Sequence, residues 1–153
     1  MDVYQKMKEL GIQLPPAPPK GGAYTSVKTF AGSLVYVSGC GPKIDRDVTG
    51  RLGREIDLET GMRCARDCML NVLAAVEKHI GDLNRIQSAV KVLCFVNSAD
   101  DFTQQPAVAN GATLLLADLF GEEAGLPTRS AIGVNVLPGG IPVEVEAIFE
   151  LKA

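Results

Sequence analysis

The segment Val143-Glu-Val-Glu-Ala-Ile-Phe-Glu-Leu151 alternates apolar and polar residues almost from end to end. Successive side chains of a β-strand point to opposite faces, so this alternation marks a strand with one covered face. Val143, Val145, Ala147, Phe149 and Leu151 face a core, while Glu144, Glu146, Ile148 and Glu150 face away from it. The rest of the chain must therefore supply a layer to lie on that apolar face.

Helices are the expected layer. Leu58, Met62, Ala65, Met69, Val72, Leu73, Val76 and Ile80 recur at helical spacing, and Gly81 closes the run with His79 as a positive end-cap. A second helix is expected over Pro106–Phe120, with Gly111 as its weak point. Residues 24–30 and 34–38 read as strands joined at Ala31-Gly32-Ser33, and Ala89–Val96 is a strand rich in β-branched residues. Arg129–Leu137 forms a further strand, joined to the last by Pro138-Gly139-Gly140-Ile141. The order β-β-α-β-α-β-β predicts an α+β fold, a mixed sheet with two helices packed on one face. Ahead of it, Val3, Met7 and Leu10 suggest a short helix, and Leu14-Pro-Pro-Ala-Pro-Pro-Lys20 a stiff connector. The expected organisation is an arm over 1–20 packed on the outside and a single domain over 21–153.

Composition excludes several functions. Fifteen Lys and Arg against eighteen Asp and Glu give a net charge of −3, which provides no basic footprint for nucleic acid or anionic lipid. The apolar runs are broken by Lys91 and Asp118 and are too short to cross a bilayer. MDVYQKMKEL lacks an apolar signal core, so a cytoplasmic location is expected. Cys40, Cys64, Cys68 and Cys94 contain no C-x-x-C pair, and His79 is the only histidine, which argues against a metal site and restricts Ser-His or Cys-His schemes.

Treating the last two strands as a hairpin centred on Gly139-Gly140 pairs Asn135 with Glu144 and Gly133 with Glu146. Ile132, Val134 and Val136 then face the core, and Arg129, Ala131, Gly133 and Asn135 share the carboxylate face. Two small residues leave room there for a ligand or another subunit, although a solvated face with rim charges would carry the same pattern. Glu144 and Glu146 lie about 7 Å apart along the strand, close enough to raise the pKa of the less solvated one. Arg129 falls about 20 Å from Glu144 along the ladder. One chain cannot bring both onto a small molecule, whereas two chains could.

Pro127-Thr-Arg129-Ser130-Ala131-Ile-Gly-Val, followed by Gly-Gly-Ile-Pro-Val-Glu144-Val-Glu-Ala, resembles the C-terminal signature of the reactive intermediate deaminase (Rid, or YjgF) family. Gly21-Gly-Ala-Tyr24 is similar to that family's Gly-Pro-Tyr segment, Val37-Ser38-Gly39 to its Ser-Gly-Gln turn, and Phe95-Val96-Asn97 with Asp101-Phe102 to its central strand and turn. The likeness covers residues 21–151 and leaves the arm as an N-terminal extension. It implies a chorismate-mutase-like fold, three chains closing into a barrel, and a pocket at each subunit interface. The implied activity is cofactor-free hydrolysis of 2-imino or enamine acids to 2-keto acids and ammonia. By position, the resemblance makes Arg129 the clamp for the substrate carboxylate and Glu144 the base that activates water. Tyr24, Ser38, backbone N–H groups near Gly39, Cys40, Ala131 and Asn110 would complete the binding site.

Cys40 stands where many members have Gln, and Ala131 where the well-studied deaminases have Cys. Cys40 reads either as a small buried residue at a tight turn or as a reactive thiol, with the first favoured. Two other functions remain in play. A non-catalytic trimer could bind small carboxylic acids as a sensor or chaperone, needing Arg129 but not Glu144. The endoribonuclease label attached to the family is the weakest, because acidic balance and eight aromatics suit RNA poorly.

Overall fold

The computed structural model describes residues 2–153. Helix α1 (Val3–Glu9) is followed by β1 (Val27–Phe30), β2 (Leu34–Cys40), α2 (Leu58–Ile80), β3 (Ile86–Asn97), α3 (Gln105–Phe120), α4 (Glu122–Gly125), β4 (Thr128–Val134) and β5 (Val143–Leu151). The five strands form one mixed sheet in the order β1-β2-β5-β3-β4. Helices α2 and α3 lie side by side on one face, so the α+β architecture is as the pattern predicts.

Local chemistry explains the element ends. Asp57 accepts the N–H of Thr60 to start α2, and Gly81 ends it in the left-handed region at φ 83°. Ala31 and Gly32 both take positive φ in the turn between β1 and β2. Gly111 is not a weak point. It lies where α3 crosses α2, and a Cβ there would overlap the Met62 carbonyl, so glycine is what lets the two helices approach.

The alternation in β5 holds throughout. Val143, Val145, Ala147, Phe149 and Leu151 are all buried, and Phe149 is among the largest fully buried side chains. They meet Val35 and Val37 of β2, Val92, Cys94 and Val96 of β3, and the buried stripe of α2. At about 25 cal/mol per Å² of apolar area, this layer is the main stabilising contribution of the fold.

The arm does not lie outside the core. Val3, Met7 and Ile12 are buried within it. The Tyr4 hydroxyl accepts from the Leu83 N–H at 3.0 Å, and Asn84 Oδ1 accepts from the Val3 N–H at 2.9 Å.

The hairpin between the last two strands is not formed. β3 lies between β4 and β5, antiparallel to β5 and parallel to β4. Each residue of β4 consequently faces opposite to the expected direction. Arg129 stands in a row with Val92 and Ala147, Ala131 with Cys94 and Val145, and Gly133 with Val96 and Val143, all on the helix-covered face. Ile132 stands with Phe95 and Glu144 on the open face, where it is 43% exposed, and Val136 beyond the strand is 60% exposed.

The physical reason lies in the connections. β3, α3 and β4 form a parallel crossover unit, which places β4 at the sheet edge beside β3. The chain then passes the end of β3 before entering β5. Asn97 holds this crossing through its N–H to the Pro142 carbonyl at 2.8 Å and its Nδ2 to the Ile141 carbonyl at 3.2 Å. Gly139 and Gly140 both take positive φ in a turn within the crossing rather than at a hairpin tip. Among the described residues, no helix is long and apolar enough to cross a membrane.

Candidate functional site

The residues singled out in the sequence fall into two groups. The first gathers at the end of β2 and the start of β5. A register shift between Val37 and Cys40 places Cys40 opposite Val145. Such a bulge re-aims the side chains around it. Cys40 turns toward the core, where burial and then the Glu144 charge push its thiol up to about 11. A thiol raised this far stays protonated at neutral pH.

Gly39 faces Glu144. A Cβ on Gly39 would sit 2.6 Å from Glu144 Oε1 and 2.9 Å from its Cδ, so only glycine leaves the carboxylate its place. Glu144 is half-buried, and its pKa is raised, first by burial and then by the negative charge of Glu146. That shift brings a carboxylate nearer to neutral pH, where it works better as a base.

Ser38 Oγ donates to the Thr25 carbonyl at 2.7 Å, and Ser38 N–H to the Ser26 carbonyl at 2.8 Å. These bonds fasten the 21–26 loop beside β2. Tyr24 is exposed on that loop, its hydroxyl accepting from the Gly21 N–H at 2.9 Å.

The second group lies on the other face. Arg129 Nη1 donates to Asn110 Oδ1 at 2.7 Å and to Thr113 Oγ1 at 3.1 Å, both on α3. Asn110 and Thr113 are three residues apart and share a helix face. Thr113 was not among the residues expected; its spacing from Asn110 is the sequence signal that points to it. Both bonds fall on Nη1. Among the described residues, Nε and Nη2 make no hydrogen bond, which leaves the side-on edge of the guanidinium for a planar anion. Ala131 is half-buried against the core beside this group.

In the observed register Arg129 and Glu144 are separated by two strand spacings and three residues, about 14 Å between backbones. This replaces the longer distance expected from a hairpin, and the sheet itself stands between the side chains. A cavity of about 600 Å³ between the loop at Arg46–Thr49 and the first half of α2 includes neither residue.

These features define an α+β protein whose candidate binding residues fall into two groups on opposite faces of one sheet. Residues 15–151 match the family described as endoribonuclease L-PSP, and the chain belongs to that family, which includes the Rid/YjgF proteins. It is 42% identical over 98% of its length, and 94% of the relative's, to protein TCP17 of Trypanosoma cruzi. The crystal structure of Atu1372 from Agrobacterium tumefaciens, a protein of unknown function, is 39% identical with a TM-score of 0.87, covering 98% of this chain and 92% of that one. RidA from the Antarctic bacterium Psychrobacter sp. PAMC 21119 is 26% identical with a TM-score of 0.63, covering 91% and 97%. The family match begins within the proline-rich connector, and the Atu1372 likeness spans nearly the whole chain, so the N-terminal segment is not marked off as an addition.

Proposed function

We propose that the protein hydrolyses 2-imino acids, or their enamine tautomers, to 2-keto acids and ammonia, as a cytoplasmic homotrimer with sites between subunits. The observation that carries this reading is the division of the site. Arg129, with Asn110 and Thr113, offers an open guanidinium edge on the helix-covered face. Gly39 and the half-buried Glu144 offer a raised carboxylate near the open face. Bringing the edge strand of one copy against the β2–β5 end of another would complete a pocket with an anion clamp and a base.

In that pocket the substrate carboxylate lies on Arg129, and the imine carbon faces Glu144. The imine enters protonated on nitrogen, and Glu144 takes a proton from water as the oxygen adds to the C=N carbon, giving a neutral carbinolamine. Glu144 returns that proton to the amine, then takes the hydroxyl proton as the C–N bond breaks, so that ammonia leaves, the keto acid remains and Glu144 loses its proton to solvent. A positioned base of this kind is worth about 10²–10⁴ in rate. The chemistry calls on no cofactor.

Ammonia release from an imino acid generated in place by an amino acid oxidase tests the reading. Release faster than in buffer is expected. A protein that binds keto acids without accelerating release would instead be a carboxylate-binding sensor.

A further inference from the structure

We propose that the cleft between the loop at 46–49 and the first half of α2 is a second binding site, one that holds a small phosphate monoester on the guanidiniums of Arg46, Arg63 and Arg66. It shares no residue with the Arg129 group or with the Gly39–Glu144 group, so the inference stands apart from the deaminase reading.

Two elements build the walls. Thr60, Arg63, Cys64 and Asp67 recur three and four residues apart, so they line one face of α2, and Arg66 lies one turn beyond Arg63. The chain from β2 to α2 passes opposite and contributes Arg46, Val48 and Thr49. That loop is fastened at both ends. The buried Asn71 Nδ2 donates to the Gly41 and Lys43 carbonyls at 2.9 and 2.8 Å, and Gly50 N–H donates to the Gly140 carbonyl at 3.0 Å. The volume of about 600 Å³ falls within the about 300–1,000 Å³ of small-ligand pockets.

Cations are left without partners in this cleft. Among the described residues, Arg46 and Arg66 make no hydrogen bond and no ion pair. Arg63 lies along its own helix, Nη2 donating to Thr60 Oγ1 at 3.0 Å and Nη1 to Glu59 Oε1 at 3.4 Å, an exposed pair of little strength. Of the two carboxylates in the lining, Asp47 is held by Lys43 at 2.9 Å. The other, half-buried Asp67, makes no ion pair among the described residues. Burial pushes the pKa of Asp67 up, Arg66 draws it down, Asp45 adds to the rise, and Arg46 and Arg63 oppose it. All three guanidiniums therefore act on one carboxylate that none of them contacts.

These features select the ligand. A tetrahedral dianion offers three terminal oxygens to cations arriving from two walls, and a planar guanidinium meets such oxygens with paired bonds. A lone carboxylate, with two oxygens and one charge, would leave an arginine unused. The Thr60 hydroxyl accepts from Arg63, so its own proton is free for the ligand, as is that of Thr49. A bound dianion would also favour the protonated form of Asp67, which removes the charge that opposes it. The end of α2 is not the site, because Asp57 already accepts the Thr60 N–H at 2.8 Å.

The test uses the full chain with phenyl phosphate as the probe, read by calorimetry and by amide shifts in ¹⁵N NMR at physiological ionic strength. Saturable binding with a Kd below about 1 mM is expected. Shifts should centre on residues 46–49 and 60–67 in the wild type, which locates the site without any variant. Arg46→Gln and Arg66→Gln should each weaken binding about tenfold or more, the loss of one hydrogen bond to a charged group. Arg54→Gln, which removes an exposed charge outside the cleft, should change nothing, and neither should Arg129→Ala. Benzoate should bind much more weakly than phenyl phosphate. Absence of saturable binding overturns the inference, as does unchanged affinity in Arg46→Gln and Arg66→Gln. Equal loss in Arg54→Gln would show a general charge effect, and loss in Arg129→Ala would place the probe on the keto-acid clamp; either overturns it. Benzoate binding as tightly would reject the phosphate assignment. A short single-stranded oligoribonucleotide that displaces the probe and binds more tightly would make the cleft a nucleic-acid contact and overturn the small-ligand reading.

Discussion

Arg129 and Glu144 project from opposite faces of the same sheet, Arg129 in the row of Val92 and Ala147 and Glu144 in the row of Phe95 and Ile132. A rigid sheet cannot turn either side chain through itself, so no motion of one chain joins them on a small substrate. If both serve one reaction, they come from different copies.

The expected assembly is a homotrimer at micromolar concentration, measured by sedimentation equilibrium. The open face displays Ile132, Tyr36 and half-buried Leu93 and Phe95, apolar surface that a second copy would cover. Ile132→Asp, which puts a charge on that exposed position without touching the core, should shift the equilibrium toward monomer and abolish hydrolysis together. A wild-type protein that stays monomeric while hydrolysing imines would remove the shared-site reading.

Much of this was legible in the sequence, and the misplaced strand shows why some was not. The facing of β5 could be read because its alternation is internal to one segment. Its neighbours could not, since pairing depends on which strand is nearest in space. The Gly139-Gly140 pair looked like a hairpin tip, yet the chain between Val134 and Val143 is long enough to pass the end of β3. β4 is a short edge strand of small residues with weak alternation, so its own pattern did not oppose the error. Arg129 and Asn110 were singled out by resemblance. Their bond, and the part of Thr113 in it, required the helix to be placed over the edge strand.

Arg129→Lys is expected to lose keto-acid binding nearly as fully as Arg129→Ala, read by calorimetry with pyruvate or 2-oxobutanoate. The guanidinium meets Asn110 and Thr113 through Nη1 and still has a planar edge for a carboxylate. An ammonium cannot hold both helix residues and a bidentate anion in that geometry. Asn110→Ala should weaken binding less, about tenfold, since a hydrogen bond to a charged group contributes about 1.5–3 kcal/mol and Thr113 retains one. Unaltered affinity in Arg129→Lys would make Arg129 a structural bridge between β4 and α3.

Cys40 should resist alkylation. Its thiol is pushed up to about 11 by burial and by Glu144, so the thiolate is scarce at pH 7. In Glu144→Gln the electrostatic part of that shift disappears while the burial remains. Mass spectrometry after iodoacetamide treatment should find Cys40 unmodified in the native protein at pH 7 and somewhat faster labelling in the variant. Rapid labelling of wild type at pH 7 would show an activated cysteine and reopen its role.

Gly39→Ala should damage catalysis while sparing the fold. The added methyl would stand 2.6 Å from Glu144 Oε1, and the strand end around it is only half-buried, so the carboxylate can move aside. The cost should appear in the rate rather than in thermal stability, with keto-acid affinity on Arg129 changing little.

Glu144→Gln is the sharpest separation of binding from chemistry. Gln keeps the length of the side chain and one acceptor oxygen, but at neutral pH it cannot take a proton from water. The Glu144 pKa is raised, so in wild type the base form is lost as pH falls through a value above the ordinary carboxylate range. Hydrolysis should therefore decline on the acid side earlier than an unperturbed glutamate would allow, and the variant should show no such limb. At neutral pH the variant should hydrolyse the imine about 10²–10⁴-fold more slowly than wild type. Keto-acid affinity should stay the same or rise slightly, because one negative charge near the bound carboxylate has gone. The decisive measurement pairs calorimetric binding of 2-oxobutanoate with the rate of imine loss above its spontaneous hydrolysis. Equal binding with hydrolysis no faster than buffer in both proteins would leave Arg129 as the anchor of a carboxylate sensor and Glu144 with no catalytic part.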